Sequence, residues 1–390
     1  SSDVCSSDLN PLLGSWFYFA TFVRRIRLGA FAFVLMNFED IFLAPPSIKT
    51  KKWQLGSKIS HTIEEGGIAL IFVSDHRGGG GSAEVRPYNL MREHLYRLSG
   101  YDFEVPICDL GELISGKVPQ DTHYILQEIL SLCHRKKTLP VVIGGSIDLT
   151  HSLFSALNLQ GRDIDYAQIS NILHLDEGGN ELTEFNFLNK ILTEKSSMLR
   201  SFHLLGYQKH LNDVEALKLI NDIQFDLLRL SEMMNITERA EPFLRRANLV
   251  SLNCNAVESF AGGFSTQPQI NGLNRREICA YMKEIGLGEN LVSFGLFNFN
   301  IQSKNLLNHQ LLAQMIWYLI EGVNIQKTHP KERSYETFLV MIDDTEWSFK
   351  KDSFSGLWYF GTGDNPKNWT PCAPQDYENA KRGILNKRFR

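Results

Sequence analysis

The 390-residue sequence lacks the patterns that mark several common classes of protein. Its six cysteines are scattered and form no C-x-x-C pair, which argues against a zinc knuckle and a disulfide framework. The net charge is only -4 and no long basic stripe occurs, so we expect no nucleic-acid partner. Four consecutive glycines at 78–81 are not followed by Gly-Lys-Ser/Thr, so they do not form a P-loop.

The first 35 residues differ in character from the rest of the chain. Two apolar pieces, Trp16 to Val23 and Leu28 to Met36, flank three arginines. Each piece is shorter than the roughly 20 apolar residues that a membrane-spanning helix needs. A membrane anchor or signal segment is one interpretation. We favour the other, a non-native or disordered leader, because residues 1–9 resemble translated adaptor sequence and Met36 is a natural start. We therefore expect no membrane association.

Apolar runs alternate with helical patterns through most of the chain. We predict strands at 68–73, 141–143, 172–176, 201–205, 248–253 and 291–297. Helices are predicted at 86–98 and 121–137, after residue 149, from 237, around 278–285 and over 306–319. This alternation predicts an α/β fold, with a mainly parallel sheet between two layers of helices. We expect one α/β domain over residues 36–330 and a C-terminal extension, 331–390, packed on it.

Two glycine-bearing turns are candidates for the rim of a ligand crevice. Gly144 and Gly145 end a buried apolar run, and in open α/β sheets such a turn faces the crevice. The glycines at 78–81 follow another run and would form a mobile loop over a crevice. An ordinary strand-to-helix turn and a plain surface loop are the respective alternatives. The cysteines fall largely in apolar runs, as free thiols do, which favours a reducing, cytoplasmic setting.

Several strand-end segments resemble, in order and spacing, those of the arginase, agmatinase and formimidoylglutamase family, the ureohydrolases. The segments are Gly144–Asp148, Asp176–Asn180, Asn253–Glu258 and Ser293–Asn300. The family shows Gly-Gly-Asp-His-Ser, Asp-x-His-x-Asp and Asp-x-Asp-x-x-Asp at the first three. The resemblance covers about residues 66–325, and the C-terminal piece is similar to a tail on arginase-like proteins of Bacteroidota. It implies a three-layer α/β/α, arginase-like fold.

The resemblance also implies a catalytic centre that this chain largely lacks. In the family, two His and four Asp hold two manganese ions, and the shared hydroxide attacks a guanidinium or formimino carbon. Asp176 is the one ligand retained at the matching positions. The other five positions hold Ile147, Gly178, Asn180, Asn253 and Asn255. Asn298 stands where the family has a Glu that binds the substrate. Asparagine keeps the shape of aspartate and loses its charge.

Nearby acidic residues leave a further alternative open. Asp148, Glu177 and Glu258 lie one to three positions from lost ligands, and together with Asp176 they would hold a single hard cation. The other interpretation is that they are turn and helix-cap residues, which suits Asp148 best.

Other candidate groups are interpreted as structural. His151 falls one turn into a helix, and His174 falls within a predicted strand. Cys254 is expected to be a buried core cysteine. Ser146 has no Gly-x-Ser-x-Gly elbow around it, so we expect no serine nucleophile.

Three functional hypotheses remain. We favour a catalytically inactive, arginase-like protein that acts by binding or assembly, with no cofactor and no catalytic residue. An active hydrolase of linear amidines or guanidines, with manganese in a remodelled site, is the second, and a metabolite- or protein-binding module is the third. A small polar metabolite or a protein is the expected partner, and a homo-oligomer is possible. The predicted ligand pocket comprises Ser146, Asp148, Asn180, Asn253, Asn255, Glu258 and Asn298, with Asp176 as the single candidate metal ligand.

Overall fold

The computed structural model describes residues 40–100, 102–234 and 236–389. The chain divides into two units, and the described part of the first contains only a two-residue strand, β1 (Phe42–Leu43). The second unit, Ala44–Arg390, contains all the elements discussed below. The leader predicted at residues 1–35 lies outside the described residues.

A parallel sheet forms the centre of the second unit. Its strands are β2 (Ile59–Ser60), β3 (Ile68–Val73), β4 (Ile107–Leu113), β5 (Leu139–Ile143), β6 (Ile164–Ile169), β7 (Leu199–Tyr207), β8 (Asp226–Arg229), β9 (Leu249–Asn253) and β10 (Ser293–Phe297). Eight of them follow the order β4–β3–β5–β10–β9–β6–β7–β8, and β2 pairs with β4. Every one of these pairs is parallel. The predicted mainly parallel α/β fold is confirmed.

Helices cover both faces of this sheet. They are α1 (Asn89–Arg97), α2 (Pro119–Arg135), α3 (Thr150–Asn158), α4 (Phe187–Thr193), α5 (Val214–Asp222), α6 (Leu230–Met233), α7 (Glu241–Arg246), α8 (Arg275–Gly286) and α9 (Leu306–Lys327). α9 contacts α1 and α8, and their apolar core includes alternate strand residues such as Leu70, Phe72 and Val141. Side chains of a strand alternate between faces, so α2 and α3, which contact each other, cover the opposite face.

The strand predicted at 172–176 is wrong, and the true strand, β6, ends at Ile169. β6 was not predicted because polar residues interrupt its apolar sequence. Asp165 is buried against Arg200, and the Tyr166 hydroxyl lies 2.6 Å from Ser251 Oγ. The apolar run at 172–176 instead folds irregularly, because its backbone bonds to a loop and to α4: Leu188 N donates to the His174 carbonyl.

A second, antiparallel sheet follows α9. It contains β11 (Tyr335–Ile342), β12 (Thr345–Asp352), β13 (Trp358–Phe360) and β14 (Thr370–Cys372), followed by the helix α10 (Pro374–Ala380). Arg245 of α7, only 2% exposed, donates to the carbonyl oxygens of Trp358 and Cys372 and lies over the Tyr359 ring. These contacts join the antiparallel sheet to α7, and the boundary near residue 330 stays a prediction. Within the described ranges, none of the helices combines the length and the apolar character needed to cross a membrane.

Candidate functional site

A crevice of about 210 Å³ opens where the central strands end. Ser74 and His76 follow β3, Ser146 follows β5, and Asn298 follows β10. Because the strands are parallel, these carboxyl ends lie at one edge of the sheet, where open α/β sheets bind ligands. The lining also includes Gly79, Gly81, Glu184, Thr266, Gln267 and Asn300. The predicted loop over a crevice at 78–81 is therefore found, with two of its glycines in the wall.

The glycine turn after β5 serves the packing of the protein itself. Gly144 and Gly145 have φ of 95° and 75°, a region that favours glycine. A Cβ on Gly144 would lie 2.5 Å from the carbonyl oxygen of Val73, and one on Gly145 would lie 2.4 Å from Leu149 Cδ1. The Gly145 carbonyl accepts the Asn298 backbone N–H at 2.8 Å, which ties the ends of β5 and β10 together. Close approach to protein atoms, rather than to a ligand, explains why both residues are glycine.

Three of the predicted asparagines converge beneath the crevice. Asn253 is fully buried, and its Oδ1 accepts from Asn298 Nδ2 at 3.2 Å and from the Asn255 backbone N–H at 3.0 Å. Asn255 Oδ1 in turn accepts the Gln267 backbone N–H at 3.1 Å. The side-chain oxygens of Asn253 and Asn255 are thus bonded to N–H donors. We call this group, with Ser170 and His174, the amide network.

His174 fixes the polarity of the amide network. Its Nδ1 bonds the Glu184 carbonyl oxygen, which can only accept, so Nδ1 carries the proton. Burial lowers the pKa of His174 to about 4, and the ring is therefore neutral at pH 7. Nε2 must then accept, and it lies 3.1 Å from Ser170 Oγ and 3.5 Å from Asn253 Nδ2. With the Ser170 hydroxyl donating to Nε2, Ser170 Oγ accepts from Asn253 Nδ2 at 3.3 Å, so position 253 supplies a donor on this side that aspartate would lack.

Glu184 is the carboxylate closest to the amide network, and the sequence analysis missed it. It is 3% exposed; Oε2 accepts from Asn298 Nδ2 at 3.1 Å and Oε1 from Gln267 Nε2 at 3.0 Å. Burial raises the pKa of Glu184, the Asp148 charge raises it further, and the two amide hydrogen bonds oppose the shift. Glu184 lies in an irregular loop with no recognisable motif, so only its three-dimensional position indicates a role.

Asp148 is held beside the crevice by a histidine and does not cap a helix. Its Oδ2 lies 3.0 Å from His123 Nε2, and His123 Nδ1 lies 2.8 Å from Ser152 Oγ. A Cβ on Gly78 would lie 2.1 Å from the Asp148 carboxylate, so the glycine loop packs directly over it. Asp148 Oδ1 is buried without a hydrogen-bond partner. The cap interpretation of Asp148 is therefore wrong, and Asp148, buried beneath the glycine loop, is not among the residues that line the crevice.

Asp176, Asn180 and Glu258 are not brought to this group. Asp176 and Asn180 are exposed, seven and eleven residues beyond the end of β6, and Asp176 lines a different surface groove. Glu258 lies in a loop that pairs with Gln269 and does not line the crevice. The expected convergence of Asp176 with Asn253 and Asn255 is wrong, because the strand was placed too late in the chain.

The remaining candidates behave as structural groups. His151 Nδ1 lies 3.3 Å from Ser155 Oγ within the same helix, and burial lowers the pKa of His151 to about 4. Cys254 is fully buried, and burial raises the pKa of its thiol.

Ser146 lines the crevice, and its backbone N–H donates to the Asp75 carbonyl. His76 also lines the crevice, and burial lowers its pKa.

Comparison with known proteins identifies the fold. No protein-family model and no curated protein match the sequence. The formiminoglutamase of Trypanosoma cruzi, solved with manganese, has a TM-score of 0.61 at 18% identity, covering 71% of this chain and 99% of that chain. The formimidoylglutamase of Bacillus subtilis gives 0.61 at 13%, covering 75% and 98%. Proclavaminate amidino hydrolase of Streptomyces clavuligerus gives 0.57 at 13%, covering 70% and 97%.

These likenesses confirm the arginase fold that the sequence resemblance implied. A further similar structure is an arginase-superfamily protein of Trypanosoma cruzi, at 16% identity with a TM-score of 0.59 over 71% of this chain and 99% of that chain. At identities this low the likeness is one of fold alone. The resemblance to proteins of Bacteroidota stays a prediction.

The residues at these strand ends do not fit a pair of manganese ions. Hard divalent cations are held by carboxylates and imidazoles with free lone pairs. Here the strand ends carry the amides of Asn253, Asn255 and Asn298, the hydroxyl of Ser170 and the apolar side chain of Ile147. Nearby, His174 has both ring nitrogens engaged in hydrogen bonds within the protein. Among the described residues, no group of three or more His, Cys, Asp or Glu is arranged to hold a metal ion. The sequence-based alternative of one hard cation on Asp148, Asp176, Glu177 and Glu258 fails because these residues do not come together.

The His174 assignment predicts a pH-dependent stability. Its folded pKa of about 4 lies below the ordinary value of 6.5, so its contribution is present above pH 6.5 and is lost as pH falls towards 4. Over this pH range, we expect the free energy of unfolding of the wild type to fall by roughly 3 kcal/mol more than that of His174→Gln. Urea denaturation at a series of pH values measures it. The surface substitution His210→Gln is the control, and an unchanged slope in His174→Gln would contradict the assignment.

The amide network also predicts the cost of restoring a carboxylate. Asn253→Asp replaces the Nδ2 donor with an acceptor that faces Ser170 Oγ and His174 Nε2. The one Ser170 hydroxyl hydrogen cannot serve both, so we expect a loss of about 1–3 kcal/mol of unfolding free energy at pH 7. The control is Asn274→Asp: Asn274 caps α8 through Oδ1, and aspartate caps equally well. Equal stability of Asn253→Asp and the wild type in urea would show that position 253 needs no donor.

Proposed function

We propose that this arginase-fold protein binds a small polar ligand in the crevice without a dimanganese centre and does not catalyse C–N hydrolysis. The observation that carries the proposal is that Asn253 Oδ1 and Asn255 Oδ1, at positions where the resemblance implies metal ligands, are hydrogen-bonded to N–H groups of the protein. These N–H groups donate to the two side-chain oxygens, which in a metal centre would instead bind the cations. In this proposal, the site has no carboxylates to hold a pair of metal ions that would generate a hydroxide.

An unpartnered acceptor at the crevice favours a ligand rich in N–H donors. Asn298, which lines the crevice, keeps Oδ1 without a hydrogen-bond partner. Glu184 adds a carboxylate. Buried acceptors without donors are costly, and a bound amine, amidine or zwitterion would satisfy them. We infer that the ligand is a small amine- or amidine-bearing metabolite.

One observation favours the alternative of an active hydrolase of linear amidines or guanidines. Glu184 and His76 both line the crevice, and burial shifts the pKa of each, upward for Glu184 and downward for His76. Shifted ionisable groups in a cleft are candidates for proton transfer. In this alternative Glu184 would accept a proton from an attacking water molecule. The second candidate therefore rests on Glu184 as a base.

The cellular setting remains part of the proposal. The five cysteines among the described residues are free and buried. Free thiols persist in reducing compartments, which supports the expected cytoplasmic location. A homo-oligomer stays an expectation from the resemblance alone.

Thermal unfolding with and without manganese tests the proposal. Arginine, agmatine, guanidinobutyrate and formimidoylglutamate are each added with and without manganese chloride. We expect at least one to raise the melting temperature equally in both conditions, because a ligand at 100 times its Kd adds about 2.7 kcal/mol to the folded state. Manganese alone should produce no shift.

Variants locate the effect and separate the two candidates. Glu184→Gln should abolish the ligand-induced shift, whereas the exposed Glu238→Gln should keep it. Product assays run in parallel on the same compounds. About two bound manganese ions per chain would overturn the proposal, and turnover that Glu184→Gln abolishes without added metal would establish the hydrolase alternative.

A further inference from the structure

Helix α5, beside the edge strand β8, carries apolar side chains on two faces. Its inner face buries Leu217 and Ile220. Its outer side leaves Val214 and Leu219, and the adjoining Ile223, exposed at 57%, 52% and 44%. The exposed side of α5 also carries Glu215, Lys218 and Asp222, as a surface helix ordinarily does. Its exposed apolar residues therefore lie beside charged ones.

The exposed face of α5 forms one wall of a surface groove. The groove has a volume of about 870 Å³ and lies between α5, α4 and the segment 172–177. Its apolar lining includes Leu173, Leu175, Phe185, Leu211, Leu219 and Ile223. Phe185 and Leu211 are 40% and 37% exposed. A continuous apolar surface of this kind is typical of an interaction site. We call it the α5 groove.

The charged residues that line the α5 groove all have the same sign. Asp176, Glu177, Asp213 and Glu215 line it, and no lysine, arginine or histidine does so. None of the four forms an ion pair within the part of the chain that the structure describes. Asp213 caps α5 by accepting the Glu215 backbone N–H, and this bond leaves its negative charge in place. A groove with apolar lining and four carboxylates without ion-pair partners is complementary to an apolar surface flanked by positively charged side chains.

We propose that the α5 groove binds a basic amphipathic helix of a partner protein. The apolar side chains of that helix would lie against Leu211, Leu219 and Ile223, with its lysines or arginines at the acidic rim. Helix-in-groove recognition uses anchors at i, i+3 or i+4, and i+7, and α5, at about 1.5 Å per residue, presents a surface roughly 13 Å long. That length matches two to three turns of a partner helix. An anionic lipid surface would be repelled by the same carboxylates.

This site is independent of the crevice. The two share no lining residue, so the groove does not depend on whether the crevice binds or hydrolyses a metabolite. Asp176, predicted from sequence as a metal ligand, belongs to the rim of the groove, where its charge serves a docking surface.

Fluorescence anisotropy with a defined peptide tests the proposal on the full chain. The probe is a labelled peptide of roughly three turns, made of leucine and lysine in an amphipathic pattern. A peptide of leucine and glutamate in the same pattern is the probe control. We expect the lysine peptide to bind with micromolar Kd and the glutamate peptide not to bind. Leu219→Lys and the double variant Glu177→Lys/Glu215→Lys should each weaken binding about tenfold or more, as loss of a central contact does.

A matched surface change separates the groove from the rest of the molecule. Leu306 is also an exposed leucine, 54% accessible at the start of α9, and Leu306→Lys should leave peptide affinity unchanged. Absence of peptide binding, or equal weakening by Leu219→Lys and Leu306→Lys, would overturn the proposal. So would self-association in sedimentation, or binding to phosphatidylserine vesicles, that Leu219→Lys abolishes. Either result would give the groove a different occupant.

Discussion

The hydrogen bond from His174 Nδ1 to the Glu184 carbonyl is the interaction on which the rest of the site depends. It makes Nε2 an acceptor, to which Ser170 Oγ donates at 3.1 Å, and Asn253 Nδ2 in turn donates to Ser170 Oγ at 3.3 Å. Asn253 then turns its Oδ1 towards Asn298, and Asn298 reaches Glu184 with the same amide nitrogen. A single backbone carbonyl thus sets the direction of a chain of side-chain bonds across three strand ends, and a carboxylate at position 253 would oppose it.

Much of the fold and part of this site were predictable from sequence. Buried strands such as β3, β5, β9 and β10 are largely apolar, so their positions and parallel arrangement followed from pattern alone. Asn253 and Asn298 were assigned to one pocket through the family resemblance. In the structure Phe297 pairs in register with Asn253, so their neighbourhood follows from the sheet.

The failures have physical causes. β6 contains Asp165 and Gln168 among its buried residues, so it lacked the apolar signal of its neighbours. The apolar run at 172–176 imitated a strand, and this error carried Asp176 into the predicted site. Glu184, His76 and His123 come from loops or from a helix, and no spacing connects them before the chain folds. Hydrophobic periodicity does not reveal contacts between distant segments. Such a contact brings Glu184, a carboxylate, to the amide network.

The arginase fold brings the strand ends to a common edge. In the function we propose, hydrogen bonds among the amide groups at that edge take the place of bonds to cations. Anomalous diffraction at the manganese edge, on crystals grown with excess manganese chloride, tests this most directly. The account predicts no anomalous peak near Asn253 and an Asn298 Nδ2 still about 3.2 Å from Asn253 Oδ1. Two peaks roughly 3.5–4 Å apart, bonded by Asn253 and Asn255, would contradict it.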